Sequence, residues 1–415
     1  LKIVTLFLYI TAYLYIIFEP QISSVTTVLF GITAVLVTSH FNFSNLSTII
    51  DFNTIFILTG MMIIISVLKE RGVFTEISKI IIKLSNGNML RAVFLINISI
   101  FFLSGFLDNV TTILIFIPIL FYIADTMQVD SKPLLINAVL FSNLGGMTTA
   151  IGDPPNIIIY SVSHQTFSSF LLHLMPIGIL VLVSQLLLLK RSLRDKSVNL
   201  VFETNDVTED LKNKGWKQYF LFFLVIVCLM IFHEQLGIEL GIITMLGGML
   251  ILFFENRDVQ SIVLDIDWDT LVLIMGLYFL NFSLEQLRLF EPVVTILSRI
   301  STDSVLILIV LWSAIFLSGF FSSLPVTLLY LSVIQKLVSM GRPNSLYWAL
   351  VLGVGIGGNL TPVASMCNIV GNNLLKNLKN EKLNFIEFTK NMLKPVVMSG
   401  IISSVVLYIF SLVYN

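Results

Sequence analysis

Asp108-Asn109-Val110-Thr111-Thr112 and Thr148-Thr149-Ala150-Ile151-Gly152-Asp153-Pro154-Pro155-Asn156 are polar islands inside long apolar runs. A carboxylate at the centre of a membrane helix costs about 2.5–3.5 kcal/mol on insertion scales, and such groups face a cavity rather than lipid. Asp108 therefore reads as a proton- or cation-coupling group; the plainer alternative is a helix cap. Asp153 precedes two prolines, so it can cap a helix whose first residue is Pro154, and for this residue the capping and ligand readings stand level. Asn109, Thr111, Thr112, Thr148, Thr149, Gly152 and Asn156 supply neutral donors, acceptors and freed backbone. A sodium ion would fit at Asp108, Asn109, Thr149 and Asn156. A helix restarting at Pro154 would also turn partial positive charge and open N–H groups toward an anion.

These islands lie in a chain that belongs in a bilayer. Of its 415 residues 56% are hydrophobic and only 12% charged, with a mean hydropathy of +0.94. A soluble chain of this length carries roughly twice that charge to cover its surface. The net charge of −1 excludes a nucleic-acid binder working through a basic face. Cys228 and Cys367 form neither a disulfide framework nor a metal motif. His164, His173 and His233 show no metal spacing, and GVGIGGN (353–359) follows no strand, so it is not a dinucleotide fingerprint. No Ser–His or Asp–Asp pairing with motif spacing suggests an intramembrane enzyme. No catalytic residue and no cofactor is expected. The opening LKIVTLFLYITAYLYIIF lacks a small-residue cleavage site and reads as a span.

Spans need about 20 apolar residues each, and 3–18, 24–39, 52–68, 168–189, 218–232, 237–254, 269–284 and 391–413 qualify, the first two being short. Regions 91–124 and 303–340 are interrupted in the middle and read as re-entrant hairpins. Regions 133–163 and 344–375, crossed by glycines and prolines, read as broken helices.

The interruptions recur in order. DFNTIFILTG (51–60) matches DWDTLVLIMG (267–276), LSGFLDNVTT (103–112) matches LSGFFSSLPVT (317–327), and GGMTTAIGDPPNIII (145–159) matches GGNLTPVASMCNIVG (357–371), at offsets of 212 to 216 residues. The expected fold is an all-α polytopic membrane protein of two repeats, 1–190 and 218–415, joined by a charged cytoplasmic linker, 191–217. Each unit has three spans, a hairpin, a broken helix and a final span. An odd number of crossings per unit inverts the second copy, the plan of secondary transporters. The second copy adds Ser322, Ser323, Asn359, Thr361, Ser365 and Asn368 to the candidate site.

Basic residues orient the chain. If the first hairpin enters from the cytoplasm, only Lys2, Arg288, Arg299, Lys336 and Arg342 of the 24 basic residues lie opposite, and both termini face outward. Residues 72–85 read as an amphipathic helix along the cytoplasmic interface. Asp51 and Asp267 read as helix caps.

SGFLDNVTTILIFIPI followed by GGMTTAIGDPPNIII resembles the ion transporter superfamily, in the branch containing arsenite permeases, the melanosomal P protein, plant silicon-efflux carriers and the citrate-transporter-like domain. Both copies of both motifs are in register, so the resemblance covers nearly the whole chain. It implies ten spans with two re-entrant hairpins and two broken helices, an elevator movement of hairpins and broken helices against a scaffold, and a homodimer. The second hairpin departs from the family pattern, with Ser322-Ser323 in place of a repeated Asp-Asn pair. The function expected is ion-coupled secondary transport of a small anion or oxyacid (arsenite-, inorganic-anion- or carboxylate-like), driven by H+ or Na+ across a prokaryotic inner membrane. A sodium/proton antiporter and an anion channel on the same scaffold are the alternatives.

Overall fold

Short polar side chains start the helices. In the computed structural model, Asp51 accepts from the Asn53 N–H at 3.0 Å, Asn88 from Arg91 at 3.0 Å, Asp130 from Lys132 at 2.9 Å and Asp267 from Thr270 at 3.1 Å. Each pairs an N–H that a helix start leaves without an internal partner. The structure describes residues 1–38, 46–86, 88–127, 129–193, 215–255, 260 and 264–413. Most of the expected linker, 194–214, lies outside them.

Among the described residues the architecture is all-helical, without strands. In the first half come α1 (Lys2–Phe18), α2 (Ser23–Val37), the one-turn α3 (Leu46–Ile49), α4 (Phe52–Glu70), α5 (Val73–Ser85), α6 (Met89–Ser104), α7 (Asn109–Met127), α8 (Ser131–Gly146), α9 (Pro154–Ser163) and α10 (Phe167–Leu193). In the second come α11 (Trp216–Ile231), the one-turn α12 (His233–Leu236), α13 (Leu240–Glu255), α14 (Trp268–Gln286), α15 (Glu291–Ser298), α16 (Asp303–Phe321), α17 (Ser323–Ser339), α18 (Ser345–Gly357), α19 (Met366–Lys379) and α20 (Phe385–Val413). Four stretches, Phe52–Glu70, Phe167–Arg191, Asp303–Phe321 and Phe385–Leu412, are each long and apolar enough to cross a membrane. Trp268–Gln286 and Glu291–Ser298, bent by 73° at the break between them, pass the same test only when taken together as one span. The other apolar helices are shorter, at 10–17 residues.

The expected interruptions are present as helix ends. The 91–124 region turns between α6 and α7, and 303–340 turns at Ser322; 133–163 breaks between α8 and α9, and 344–375 between α18 and α19. The expected amphipathic helix is α5, which buries Val73, Phe74 and Ile81 and exposes Ile80 and Leu84. The sequence pattern missed its counterpart α15, a short helix hidden in the loop after α14.

The two halves exchange partners. α2 packs on α14 and α4 on α13, so, leaving out the one-turn helices, the second helix of each half lies against the third of the other. Glycines permit both crossings. A Cβ on Gly31 would fall 2.7 Å from the Gly276 carbonyl oxygen, and one on Gly60 would run into the Thr244 backbone. Gly60 and Gly276 are repeat-equivalent. Deeper in, α7 packs on α19 and α17 on α9, so each hairpin braces the broken helix of the opposite half.

Overpacked contacts of this kind cost about 1–3 kcal/mol. Gly60→Ala and Gly276→Ala should therefore each lower stability by about that amount, and to a similar extent, because they stand at equivalent crossings. Thermal unfolding of the detergent-solubilised protein reads this; unchanged midpoints would mean that the helices do not approach so closely.

Candidate functional site

Where a helix stops inside an apolar layer, its carbonyls must find donors, since no water or lipid supplies them. In the first half the Asn156 side-chain amide donates to the carbonyls of Gly146 (2.9 Å) and Thr149 (2.8 Å), closing the gap between α8 and α9. In the second, Asn368 donates to Gly358 (2.7 Å) and Thr361 (2.7 Å), closing the gap between α18 and α19. The threonines repeat as well. The Thr149 hydroxyl donates to the Gly105 carbonyl and accepts from Gly152 N–H at 3.1 Å. The Thr361 hydroxyl donates to the Gly319 carbonyl at 2.7 Å. Each break is thus stitched to the hairpin of its own half by the same chemistry.

This sorts the candidate residues. Asp108, Asn109, Thr111, Asp153, Ser322, Ser323 and Ser365 line one cavity of about 630 Å³, which reaches Lys69, Glu70, Asp265 and Asp267 at the ends of α4 and α14. Thr112, Thr148, Thr149, Gly152, Asn156, Asn359, Thr361 and Asn368 stand behind that wall. Thr112 donates to the Asp108 carbonyl and Thr148 to the Gly145 carbonyl. Gly152 leaves no room for a Cβ beside the carbonyls of Gly146 and Ser104. Of the four residues expected to hold sodium, Asp108 and Asn109 face the cavity, whereas the side chains of Thr149 and Asn156 are committed to backbone.

Asp108 takes the capping role the sequence allowed. It accepts from the Thr111 N–H at 2.8 Å and so caps α7, and it also lines the cavity. Asp153 occupies the cap position of α9, followed by Pro154, but its side chain makes no capping bond. The reason is local: the two prolines carry no N–H, and Asn156 N–H is taken by the Asp153 carbonyl at 2.9 Å. The expected anion-binding N–H groups are therefore missing at the start of α9. The second half differs, because α19 begins with Met366 and Cys367, whose N–H groups have no acceptor within the helix. The Asp153 carboxylate lines the cavity instead.

The repeat register makes the site chemically lopsided. Asp108 answers to Ser322, and Asp153 to Ser365. Both carboxylates belong to the first half and neutral hydroxyls replace them in the second. Ser322 also sits at φ +69° and ψ 146°, a conformation favourable only for glycine and costing about 1–3 kcal/mol elsewhere. Asn143 went unnoticed in the sequence. It lies inside an apolar helix, one turn ahead of the break, and Gly355 at the equivalent position hides it from the repeat pattern. It is buried and bonded to Asn109, Asn359, Ser365 and Asn368.

An all-helical membrane protein with paired helix breaks around one internal cavity has the form of a membrane transporter. A citrate transporter family model matches residues 13–353 and 283–414, and the chain belongs to that family. An uncharacterized transporter of Mycobacterium tuberculosis is 30% identical over 378 residues, covering 88% of each chain. A 46 kDa membrane protein of Mycobacterium leprae is 28% identical over 413 residues, covering 96% of this chain and 95% of that one. The mouse P protein is 27% identical over 77% of this chain, which spans about half (49%) of the P protein's length. Among solved structures, the Alcanivorax borkumensis YdaH transporter shares the fold, with a TM-score of 0.62 at 13% identity over 89% of this chain and 87% of that one. The suspected superfamily branch stands, and the chain is an integral membrane transporter of the bacterial inner-membrane kind.

Two outcomes follow from this geometry. Asn156→Ala and Asn368→Ala each strand two buried carbonyls, at about 1–3 kcal/mol for every group left unpaired, and should reduce thermal stability far more than Ser323→Ala. Ser322→Gly should raise stability by about 1 kcal/mol or more by relieving the left-handed strain; an unchanged unfolding midpoint would mean that the serine is not strained.

Proposed function

We propose that this protein is an ion-coupled secondary transporter of a small anion or oxyacid, with the coupling ion held by the first half and the passenger by the second. The observation behind this is the replacement of Asp108 and Asp153 by Ser322 and Ser365 around one cavity. Two carboxylates lining one cavity attract a proton or sodium ion. Serine hydroxyls and the Met366 and Cys367 N–H groups at the start of α19 donate to oxygens of an anion. Arsenite-like, inorganic-anion and carboxylate passengers all present such oxygens, and the name of the matched family points to the carboxylates.

The same reading takes 1–190 and 218–415 as inverted repeats joined through 191–217, with α6–α7 and α16–α17 as re-entrant hairpins and about ten spans in all. The shorter helices, 10–17 residues long, cross as members of a bundle. In an elevator cycle the hairpins and broken helices, which brace each other across the halves, travel together against α2, α4, α13 and α14. A homodimer would anchor that scaffold in the bilayer.

A sodium/proton antiporter has one observation in its favour. Among the described residues Glu70, Asp108, Asp153, Asp265 and Asp267 line the cavity with Lys69 as the one cation, a balance that attracts cations. Reconstituted vesicles separate the two. Gradient-driven uptake of citrate, malate, phosphate, silicate or arsenite supports the anion carrier, whereas a pH-dye response to sodium without any anion supports the antiporter. Asp108→Asn should abolish ion dependence and leave the fold intact, since an asparagine oxygen still caps α7. Full coupled transport by that variant would reduce Asp108 to a cap.

A further inference from the structure

A groove between α1 and the second hairpin shares no lining residue with the central cavity. Tyr9 and Tyr13 of α1, Leu317 and Phe321 of α16, and Val326 and Leu329 of α17 wall a volume of about 290 Å³. The hydroxyls of its α1 wall are already bonded. Tyr9 donates to Tyr13 at 2.7 Å, and Tyr13 donates across the gap to the Pro325 carbonyl at 2.7 Å. Among the described residues no charged side chain lines the groove.

The groove is continuous with the surface that faces lipid. Ile10, Leu14 and Phe321 line it and are exposed, beside exposed Leu6 and Phe7 on α1 and Phe316 and Phe320 on α16. In an integral membrane protein, hydrocarbon meets such a patch. Water gains nothing there, because a void without free polar partners stays dry. Left empty, an apolar void lowers stability in proportion to its volume. At about 30 Å³ for a group the size of water, the space takes about ten methylene-sized groups, a run of acyl chain. An α-helix, about 10–12 Å across, is too thick to enter, which sets aside a span from a second copy. A free fatty acid would bring a carboxylate with no cation to pair it.

We propose that this groove is a lipid site that takes the acyl tail of a bilayer phospholipid, whose headgroup stays at the membrane surface. The tail packs against the outer side of the second hairpin's tip. Phe321 and Val326 line the groove, whereas Ser322, Ser323 and Leu324 between them line the central cavity. A few residues of one turn thus divide bilayer hydrocarbon from the wall of the passenger site. A seated tail backs that turn and holds α1 off the hairpin, at the spacing that the Tyr13 hydroxyl bridges. The site follows from shape and surroundings, and it holds for the anion carrier and the antiporter alike.

Photolabelling tests it. The full chain is reconstituted in phosphatidylglycerol and phosphatidylethanolamine vesicles doped with a phosphatidylglycerol that carries a diazirine midway along one tail. After illumination, peptide mass spectrometry should find adducts on 9–14 and 317–330 several-fold more often than at Leu221 and Val225, which are exposed on α11. Leu329→Trp, and the milder Leu317→Phe, fill the groove and should remove its adducts while labelling of α11 is unchanged. A diazirine on the headgroup should give no adducts in the groove. Labelling no stronger than on α11 would reduce the groove to ordinary bilayer contact and overturn the proposal. Adducts that persist in both variants, or that form from the headgroup probe, would also overturn it. Displacement of the probe by added oleate would assign the groove to a free fatty acid instead. Adducts that vanish as chemical cross-links form between the α1 helices of two copies would assign it to a dimer contact.

Discussion

Main-chain polarity at the middle of an apolar layer is the constraint on which the rest of this structure depends. Each broken helix exposes carbonyls that neither lipid nor water can pair, and one asparagine amide per break meets two of them. Asn156 and Asn368 do the same work on equivalent atoms. Threonines at equivalent positions then tie each break to its hairpin. Because the backbone is satisfied from behind, the front of each break is left free to face a cavity. The residues most obviously polar in the sequence are thus divided evenly between support and contact.

Exchange between the halves is the second organising feature. Glycine-mediated crossings place α2 on α14 and α4 on α13, while hairpins brace the opposite broken helices. A duplicated unit folding alone would leave these faces bare, so neither half makes a transporter by itself. Partner exchange also brings Asp153 and Ser365, far apart in the chain, to a single cavity. The symmetry is structural, and the departures from it are chemical: two carboxylates become serines, and Asn143 faces no counterpart. Membership of the citrate transporter family and the shared fold of YdaH set this scaffold among transporters, while the lopsided cavity is a property of this chain's own residues.

The sequence by itself determined the class, the interruptions and the internal repeat. Hydropathy and the placement of glycine and proline are local properties, and local propensity decides where a helix can run and where it must stop. It placed α6–α7, α8–α9, α16–α17 and α18–α19 to within a few residues, and it placed Asp51 and Asp267 as caps. Only the tertiary structure decided which polar side chains face the cavity. Thr149 and Asn156 look the same as Asn109 in a pattern, yet their side chains donate to backbone carbonyls, whereas Asn109 lines the cavity and donates to the Asn143 side chain. The empty N-terminus of α9 was legible in Pro154-Pro155 but went unread beside the attraction of a helix end. Asn143 was not legible at all, since an amide within an apolar helix acquires its meaning from Asn359, Ser365 and Asn368, more than 200 residues away. Contacts of that range are set by how the halves pack, and no spacing in the chain records them.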